Sequence, residues 1–247
     1  MTIHDMQPEF SVVIPAYNEE KLLPRALERI DIAKNAYHLG TDAVEVIVAD
    51  NASTDTTASI ARDAGARVAT FDNRRIASAR NGVAAIARGR ILVFVDADTT
   101  VHPETFNAIH AAMATGNYVG GATGWEFERT SAGLAATRFV VGTVVTGLLR
   151  IDGGAVFCTR EAFDAVGGYN EEKEIAEDVE FFRAVRAFGK RKGLRMLRGT
   201  PEARAVVCTR KFDKHGDWHM FYMAWWPITQ RRSMKRIVEE YWYTREE

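Results

Sequence analysis

Short apolar runs alternate with longer amphipathic segments along the first half of the chain. Four of the runs have the length and composition of buried strands: FSVVIP, VEVIVAD, ARVATF and RILVFVD. The segments between them carry apolar residues at the spacing of one helix face. Strands that are separated by helix-length segments indicate βαβ units. We therefore predict an α/β fold with a mostly parallel central sheet that is flanked by helices.

Capping residues and glycines indicate where the helices of this half begin and end. Pro24 is tolerated only in the first turn of the first helix. Ser53 or Thr54 is expected to cap the second helix, and Gly65 is expected to close it. The third helix is predicted at about residues 76–88, between the third and fourth strands.

The second half of the chain has a less regular pattern. NYVGGATG, GAVFC and RAVVCT are predicted strands, and a helix is predicted at residues 177–188 with Gly189 as its end. The apolar segment at residues 131–149 contains Arg138 and is shorter than the roughly 20 clean apolar residues of a membrane span. We expect a buried or surface-lying helix there.

Composition and charge do not identify the function, which has to be inferred from local features of the sequence. The 32 basic residues nearly balance the 33 acidic residues, so we expect no nucleic-acid partner. Cys158 and Cys208 are far apart and form no CxxC pair, which argues against a zinc site and a disulfide scaffold. The first residues lack the basic and apolar regions of a signal peptide. These features together predict a cytoplasmic protein.

Polar residues follow three of the predicted strands. The segments IPAYNE, ADNASTD and VDADTT lie where the first, second and fourth strands end. Parallel α/β sheets bind ligands beyond the carboxyl ends of their strands, because loops and helix N-termini converge there. We expect the three turns to line one crevice.

Asp96 and Asp98 give this crevice a candidate metal site. Residues i and i+2 of an extended segment point to the same side, so both carboxylates are expected to face one object. Paired carboxylates suit a hard divalent cation, such as Mg²⁺ or Mn²⁺, that shares its remaining positions with substrate phosphates. The alternative is that both aspartates are turn and cap residues before a helix at Pro103.

Six segments in one order give the chain a family resemblance: VVIPAYNEE, VIVADNASTDTT, ASARNGVAAIARG, VFVDADT, GGAVFCTREAFDAVGGYNE and AEDVEFFRAVRAFGK. They resemble the family 2 glycosyltransferases, inverting enzymes of the GT-A fold, a Rossmann-like α/β fold, that transfer a sugar from a nucleotide diphosphate donor. The resemblance implies a single domain at residues 1–247. It comprises a nucleotide-sugar-binding half at about 8–120, an acceptor and catalytic half at about 121–215, and a C-terminal helical tail at about 216–247.

The resemblance also implies the residues that bind the donor. Pro15, Ala16, Tyr17 and Glu19 would border the base and ribose, Asp50 would accept a hydrogen bond from the base, Arg80 would lie near the phosphates or the sugar, and Asp96 and Ala97 would contact the ribose or the donor sugar. Asn51 and Ala52 stand where members often have Asp and Gly. Tyr17 as a core aromatic and Arg80 as a solvated helix charge are the competing interpretations.

Metal and acceptor residues follow from the same resemblance. Asp98 would ligate the Mn²⁺ or Mg²⁺ that bridges the diphosphate, with His215 as a further ligand and His219 as its competitor. Asp178 resembles the catalytic base, which takes the proton of an acceptor hydroxyl as it attacks the anomeric carbon. Acidic residues at a helix start are also common because they complement the helix dipole. Lining the donor sugar and the acceptor would be Gly153, Gly154 and Glu177.

The sequence thus predicts a metal-dependent inverting glycosyltransferase. We expect a UDP-sugar donor, a saccharide or lipid-linked acceptor, and a place in cell-envelope polysaccharide or glycolipid synthesis. The alternatives are a nucleotidyltransferase that acts on a sugar phosphate, and a non-catalytic nucleotide-sugar-binding module. Trp125 and Tyr169 are either sugar-stacking or core aromatics. The basic, aromatic segment at residues 230–247 is either a peripheral membrane contact or a solvated helix packed on the domain.

Overall fold

The computed structural model describes residues 7–143, 147, 152–173 and 177–221. Ten strands are formed within these ranges: β1 Phe10–Ala16, β2 Val44–Asp50, β3 Arg67–Thr70, β4 Ile91–Phe94, β5 Thr99–Thr100, β6 Tyr118–Ala122, β7 Trp125–Phe127, β8 Val156–Thr159, β9 Arg195–Arg198 and β10 Ala205–Val207. The α-helices in the same ranges are α1 Leu23–Ala36, α2 Thr57–Asp63, α3 Ile76–Ile86, α4 Thr105–Ala114, α5 Ala132–Val140, α6 Arg160–Val166, α7 Glu177–Arg191 and α8 Arg210–His215.

A seven-stranded sheet has the order β3-β2-β1-β4-β8-β6-β9. Strand β1 pairs in parallel with β2 on one side and with β4 on the other, and β2 pairs in parallel with β3. Strand β8 runs antiparallel to both of its neighbours, β4 and β6. The predicted mostly parallel sheet is therefore confirmed, with one reversed strand inside it. A smaller sheet has the order β5-β10-β7.

Two hydrophobic clusters cover the two faces of the large sheet. The alternation along β1 sends Val12 and Ile14 to one cluster and Val13 to the other. The first cluster includes the apolar sides of α1 and α4, and the second includes those of α3, α6 and α7. Each large side chain that is fully buried in this way contributes about 1.5–3 kcal/mol. The sheet is thus held between helix layers, and its strand ends remain for ligand contacts.

The chain divides into two compact units. The first comprises Met1–Glu126 and Arg150–Val207, and it contains the large sheet. The second comprises Phe127–Leu149 and Cys208–Glu247, and within the described residues it contains α5 and α8.

The start of α2 differs from the sequence prediction. The helix begins at Thr57, and neither Ser53 nor Thr54 caps it. Instead, the Ser53 hydroxyl accepts a hydrogen bond from the Asn18 amide at 3.0 Å, and the Thr54 amide donates to the Asn18 side-chain oxygen at 2.8 Å. These two residues connect two loops rather than start a helix. Gly65, at a φ of 77°, follows the helix end as predicted.

The end of α7 also differs. The helix continues through Gly189 and ends at Arg191, with Gly193 in the left-handed conformation just beyond. A Cβ atom at Gly189 would lie 2.5 Å from Val119 Cγ1. Gly189 therefore lets the helix approach β6 closely, and it does not act as a C-cap.

The apolar segment begins as a short amphipathic helix. Ser131 caps α5, its side chain accepting a hydrogen bond from the Leu134 amide. Leu134 is buried, whereas Phe139 is 73% exposed. No helix in the described part of the chain is long and apolar enough to cross a membrane. The remainder of this segment lies largely outside the described residues, and so does the segment at residues 230–247, whose membrane contact stays a prediction.

Gly89 gives a test of how tightly β1 and β4 are joined. Its amide donates to the Ser11 hydroxyl at 2.6 Å, and that hydroxyl donates to the buried Glu45 carboxylate at 2.6 Å. A Cβ at Gly89 would lie 2.5 Å from the Ser11 backbone nitrogen, which cannot move without shifting β1. We expect Gly89→Ala to lower the free energy of unfolding by roughly 2–3 kcal/mol in urea denaturation.

The matched control is Gly142→Ala, because a Cβ there meets no atom within 4 Å. We expect it to change the stability by about 0.5 kcal/mol or less. Equal stabilities of the two variants would show that the Gly89 contact is not tight.

Candidate functional site

The loops that follow β1 and β2 are joined at the carboxyl edge of the sheet. The Asn51 amide donates to the Ala16 carbonyl at 2.8 Å, which extends the pairing of the two strands by one residue. The Glu19 amide donates to the Thr57 hydroxyl at 2.8 Å. Together with the bonds of Asn18, these contacts give the two loops one fixed arrangement. The two predicted ligand loops therefore lie side by side.

The residues implied in nucleotide binding lie in and beside these two loops. Ala16, Glu19 and Asp50 are buried, whereas Pro15 and Tyr17 are half-buried. The Asp50 carboxylate accepts a hydrogen bond from the Ser53 amide at 3.3 Å, which holds it at the end of β2.

Aromatic and backbone features complete this part of the site. The Arg74 guanidinium lies over the Tyr17 ring at 5.0 Å from its centroid, a cation–π contact. Ala52 has a φ of 64°, a conformation that costs an alanine about 1 kcal/mol and a glycine almost nothing. Ala52 stands where the family it resembles often has glycine, a residue that adopts this conformation without strain.

The third loop does not have the extended shape predicted for its two aspartates. Strand β4 ends at Phe94, and the Thr99 amide donates to the Asp96 carbonyl at 3.0 Å, so the aspartates lie in a turn. Ala97 is buried between them, and Asp98 is half-buried. A turn redirects successive side chains, so the two-residue spacing alone does not place both carboxylates on one side. Neither aspartate caps the next helix, which begins at Thr105.

Arg80 lies at the centre of an acidic cluster. Only 7% of its side chain is exposed, and its Nη1 atom lies 2.5 Å from Asp178 Oδ1 and 3.7 Å from Glu177 Oε1. Its Nη2 atom lies 2.9 Å from Asp96 Oδ1. Arg80 is therefore not a solvated helix charge. It joins α3, the loop after β4 and the start of α7, and it brings three of the predicted site carboxylates together.

Burial and mutual repulsion change the acidities in this cluster. Burial raises the pKa of Asp178, an effect that the Arg80 charge opposes and the Asp96 charge increases. Burial also raises the pKa of Glu177, and the Asp178 charge adds to it. Burial alone would lower the pKa of Arg80, but the charges of Asp178 and its neighbours raise it above its ordinary value. The cluster thus holds a permanent cation beside two carboxylates, those of Asp178 and Glu177, whose raised pKa values make them bind protons more readily than usual.

Tyr169 forms the floor under Arg80. It is 3% exposed, stacks on Phe181 with ring centroids 4.1 Å apart, and lies 5.1 Å from the Arg80 guanidinium. Tyr169 is therefore a core aromatic and not a surface for a sugar. Burial raises the pKa of its hydroxyl well above the ordinary value, so the ring stays neutral.

Asn81 is a site-supporting residue that the sequence interpretation missed. Its Nδ2 atom donates to the Tyr169 carbonyl at 2.8 Å, and the Tyr169 amide donates to its Oδ1 atom at 2.8 Å. The side chain thus pairs with the Tyr169 backbone as a neighbouring strand would. The sequence carried no signal for this role, because the bonds are to backbone atoms of a distant loop.

The positive φ of Gly154 and the close contacts of both Gly153 and Gly154 explain why these two residues are glycine. Gly154 has a φ of 89°, and a Cβ there would lie 2.2 Å from the Gly124 carbonyl oxygen. A Cβ at Gly153 would lie 3.0 Å from Trp125 Cδ1. The close approach at each glycine is to another part of the chain. Whether it serves a donor or an acceptor stays a prediction.

His215, the second implied metal ligand, belongs to the second unit. It is the last residue of α8, and its ring stacks on that of His219 at 4.6 Å. Across residues 7–143, 147, 152–173 and 177–221, no three His, Cys, Asp or Glu residues are grouped as a metal site requires.

Comparison with protein families and curated sequences gives two matches of note. The family model described as Glycosyl transferase family 2 matches residues 11–160. Validoxylamine A glucosyltransferase of Streptomyces hygroscopicus subsp. limoneus is 36% identical over 113 residues, which are 43% of this chain and 24% of that protein. The chain thus spans about a quarter of the length of this curated relative.

Solved structures are similar in fold. The structure of S. aureus TarS 1–349 has a TM-score of 0.64 at 17% sequence identity. The match covers 92% of this chain and 68% of the TarS chain. The mannosyltransferase PcManGT from Pyrobaculum calidifontis, solved in complex with GDP-Man and Mn²⁺, has a TM-score of 0.61 at 21% identity. The match covers 83% of this chain and 57% of PcManGT.

Asn81→Ala tests the support under the site. The change leaves the Tyr169 amide and carbonyl without their side-chain partner, and we expect a loss of about 1–3 kcal/mol in the free energy of unfolding. Urea denaturation followed by tryptophan fluorescence measures it. The control is Asn35→Ala, because exposed Asn35 bonds to Asp31 on its own helix. If both variants were equally stable, the Tyr169 loop would be held without Asn81.

Proposed function

Because the chain belongs to glycosyltransferase family 2 and has the GT-A fold, we propose that it transfers a sugar, with inversion, from a nucleotide diphosphate donor to an acceptor hydroxyl. One observation carries this proposal. Arg80 holds Asp178 next to Asp96, so the base candidate and the donor-side carboxylate meet at one point. A sugar transferase needs its base and its donor contact within the reach of a single sugar ring.

The donor nucleotide is proposed to bind at the ends of β1 and β2. Asp50 is buried at the strand end, where its carboxylate accepts a hydrogen bond from the base. Tyr17, which lies under Arg74, borders the base and the ribose with Pro15, Ala16 and Glu19. The fixed pairing of the two loops supports this assignment, because a preorganised pocket spends little binding energy on ordering its own backbone.

Asp178 is proposed as the general base. It takes the proton of the acceptor hydroxyl while that oxygen attacks the anomeric carbon from the face opposite the nucleotide, and inversion follows from the single displacement. Its raised pKa makes it a stronger base than an ordinary aspartate. Glu177, Gly153 and Gly154 are proposed to line the space for the donor sugar and the acceptor.

Asp98 is the residue that would hold Mn²⁺ or Mg²⁺, with the diphosphate oxygens as the other main ligands. One carboxylate and substrate phosphates suffice for such an ion, so the residues present fit it. When bound, the ion stabilises the negative charge of the departing diphosphate. His215 as a further ligand stays a prediction.

We propose a UDP-sugar as the donor. TarS has been solved in complex with UDP-GlcNAc, whereas PcManGT has been solved with GDP-Man, so both nucleotides belong in any test. The acceptor is proposed to be a saccharide or a lipid-linked saccharide in cell-envelope polysaccharide or glycolipid synthesis.

Nucleotide binding can be tested by thermal stabilisation against UDP, GDP, CMP and TDP, with and without Mn²⁺. We expect UDP with Mn²⁺ to raise the melting temperature, because a ligand at 100 times its Kd adds about 2.7 kcal/mol to the folded state. Asp98→Ala is expected to lose the Mn²⁺-dependent part of the shift, and Asp63→Ala, a change at the exposed end of α2, is expected to keep it. Equal UDP stabilisation with and without Mn²⁺ would contradict the proposed metal dependence.

Asp178→Asn tests the base. We expect donor binding to stay within about twofold while kcat for transfer falls by about 10²–10⁴, the usual contribution of a general base. Glu180→Gln is the matched control, because Glu180 lies on the same helix and pairs with Lys173 away from Arg80. Full turnover by Asp178→Asn would remove Asp178 from the base role.

A further inference from the structure

Both terminal nitrogens of Arg80 are already engaged by carboxylates. Nη1 bonds to Asp178 and lies near Glu177, while Nη2 bonds to Asp96. Of the N–H donors of the guanidinium, the ones that these two bonds use are directed at the acids of the site. The guanidinium therefore acts on the acids of the site, in addition to any contact with the phosphates or the sugar that the family resemblance implies.

The surroundings of Arg80 hold this arrangement in place. The Tyr169 ring lies beneath the guanidinium, and Phe181 stacks on the other side of that ring. The two hydrogen bonds of Asn81 fix the Tyr169 backbone. A planar, delocalised guanidinium can stack on an aromatic face and donate to two carboxylates at once. A lysine ammonium is a compact point charge without this planar fork.

We propose that Arg80 is a positioning residue that holds the Asp178 carboxylate in place and couples it to the state of Asp96. The inference rests on the proposed function, because it assigns Asp96 to the donor side and Asp178 to the base. When a donor hydroxyl occupies the Asp96 carboxylate, Arg80 shares less of its charge with Asp96 and more with Asp178. Donor binding thereby changes the pKa of Asp178, because one guanidinium contacts both carboxylates. By linkage, the ionisation of Asp178 alters donor affinity to the same extent.

The charges that face Asp178 make this coupling measurable. Glu177 lies beside it on α7, Arg80 faces it from α3, Asp96 from the loop after β4, and Tyr169 from the loop that precedes α7. Arg80 is the only cation in this set, against three carboxylates. When Arg80 is removed, burial and the repulsion of the neighbouring carboxylates still act on Asp178, and both favour its protonated form.

The experiment measures the titration of Asp178 directly, in protein labelled with carbon-13 at the aspartate carboxyls. Asp178→Asn identifies the signal, and spectra are recorded with and without saturating UDP and Mg²⁺, a diamagnetic ion. The variants are Arg80→Gln, Arg80→Lys and Asp96→Asn. Arg183→Gln is the control, since it removes an exposed positive charge from the same helix as Asp178.

We expect the titration midpoint of Asp178 to move to higher pH in Arg80→Gln and to stay near the wild-type value in Arg183→Gln. UDP should shift the midpoint in the wild type. It should have a smaller effect in Arg80→Lys, whose ammonium is a point charge without the planar fork of the guanidinium, and no such effect in Asp96→Asn. If Arg80→Gln does not fold, the response of Arg80→Lys and Asp96→Asn to UDP decides the question.

In transfer assays, Arg80→Gln should lose more activity at pH 6 than at pH 8, by up to about tenfold, because a neighbouring positive charge lowers an aspartate pKa by about one unit or more and its removal leaves less of the base ionised at low pH. An equal loss at every pH together with weakened UDP binding would overturn the inference and assign Arg80 to the phosphates. An unshifted Asp178 midpoint in Arg80→Gln would also overturn it. The titration needs no turnover, so a wild-type protein without transferase activity would refute the proposed function alone.

Discussion

The parallel pairing of β1 with β2 and β4 is the constraint on which the site depends. Because all three strands run in one direction, their carboxyl ends and the loops that follow them meet at one edge of the sheet. The register is held at the opposite end by Ser11, whose hydroxyl connects Gly89 before β4 to Glu45 in β2. A shift of one residue would turn the apolar set of β1 from one helix layer to the other. The positions of Asp50 and Asp96 are thus consequences of core packing.

Arg80 connects the end of the sheet to α7, the helix that contributes Asp178 to the candidate site. The chain supplies Asp96 from the parallel part of the sheet and Asp178 from a helix that follows much later, and the guanidinium is the contact that joins them. An arginine so enclosed by carboxylates costs desolvation energy, which the cluster recovers through short bonds and the Tyr169 face. Such an arrangement favours a fixed geometry more than it favours stability.

The sequence predicted the strands and helices of the first half because their periodicity was strong. Val44–Asp50 was obtained to the residue, and Ile76–Ile86 within two residues of its end. The errors came from tertiary contacts that no local pattern carries. Ser53 and Thr54 have the composition of caps but bond to Asn18, and Gly189 has the composition of a helix end but serves a close approach to Val119.

The candidate site was predictable as a list of residues but not as a set of contacts. The family resemblance implied Arg80, Asp96, Glu177 and Asp178 as separate residues. Only the structure shows that the three carboxylates meet at the Arg80 guanidinium. The extended geometry expected for Asp96 and Asp98 failed because β4 ends before them and a turn begins. Asn81 had no signal of its own, because its partners are backbone atoms of a distant loop.

The reversed strand β8 also constrains how the chain reaches its final form. Strand β8 lies between β4 and β6, although it follows both in sequence, so β6 and β9 can join the sheet only once β8 has been inserted. Until then, β4 is an edge strand with the sequence ILVF and no charged residue to block pairing with another molecule. During synthesis, an interval therefore exists in which the finished nucleotide half presents an adhesive edge. Strand β8 closes this edge, and Gly153 and Gly154, which are proposed to line the site, lie just before it, so the same insertion would bring both into place.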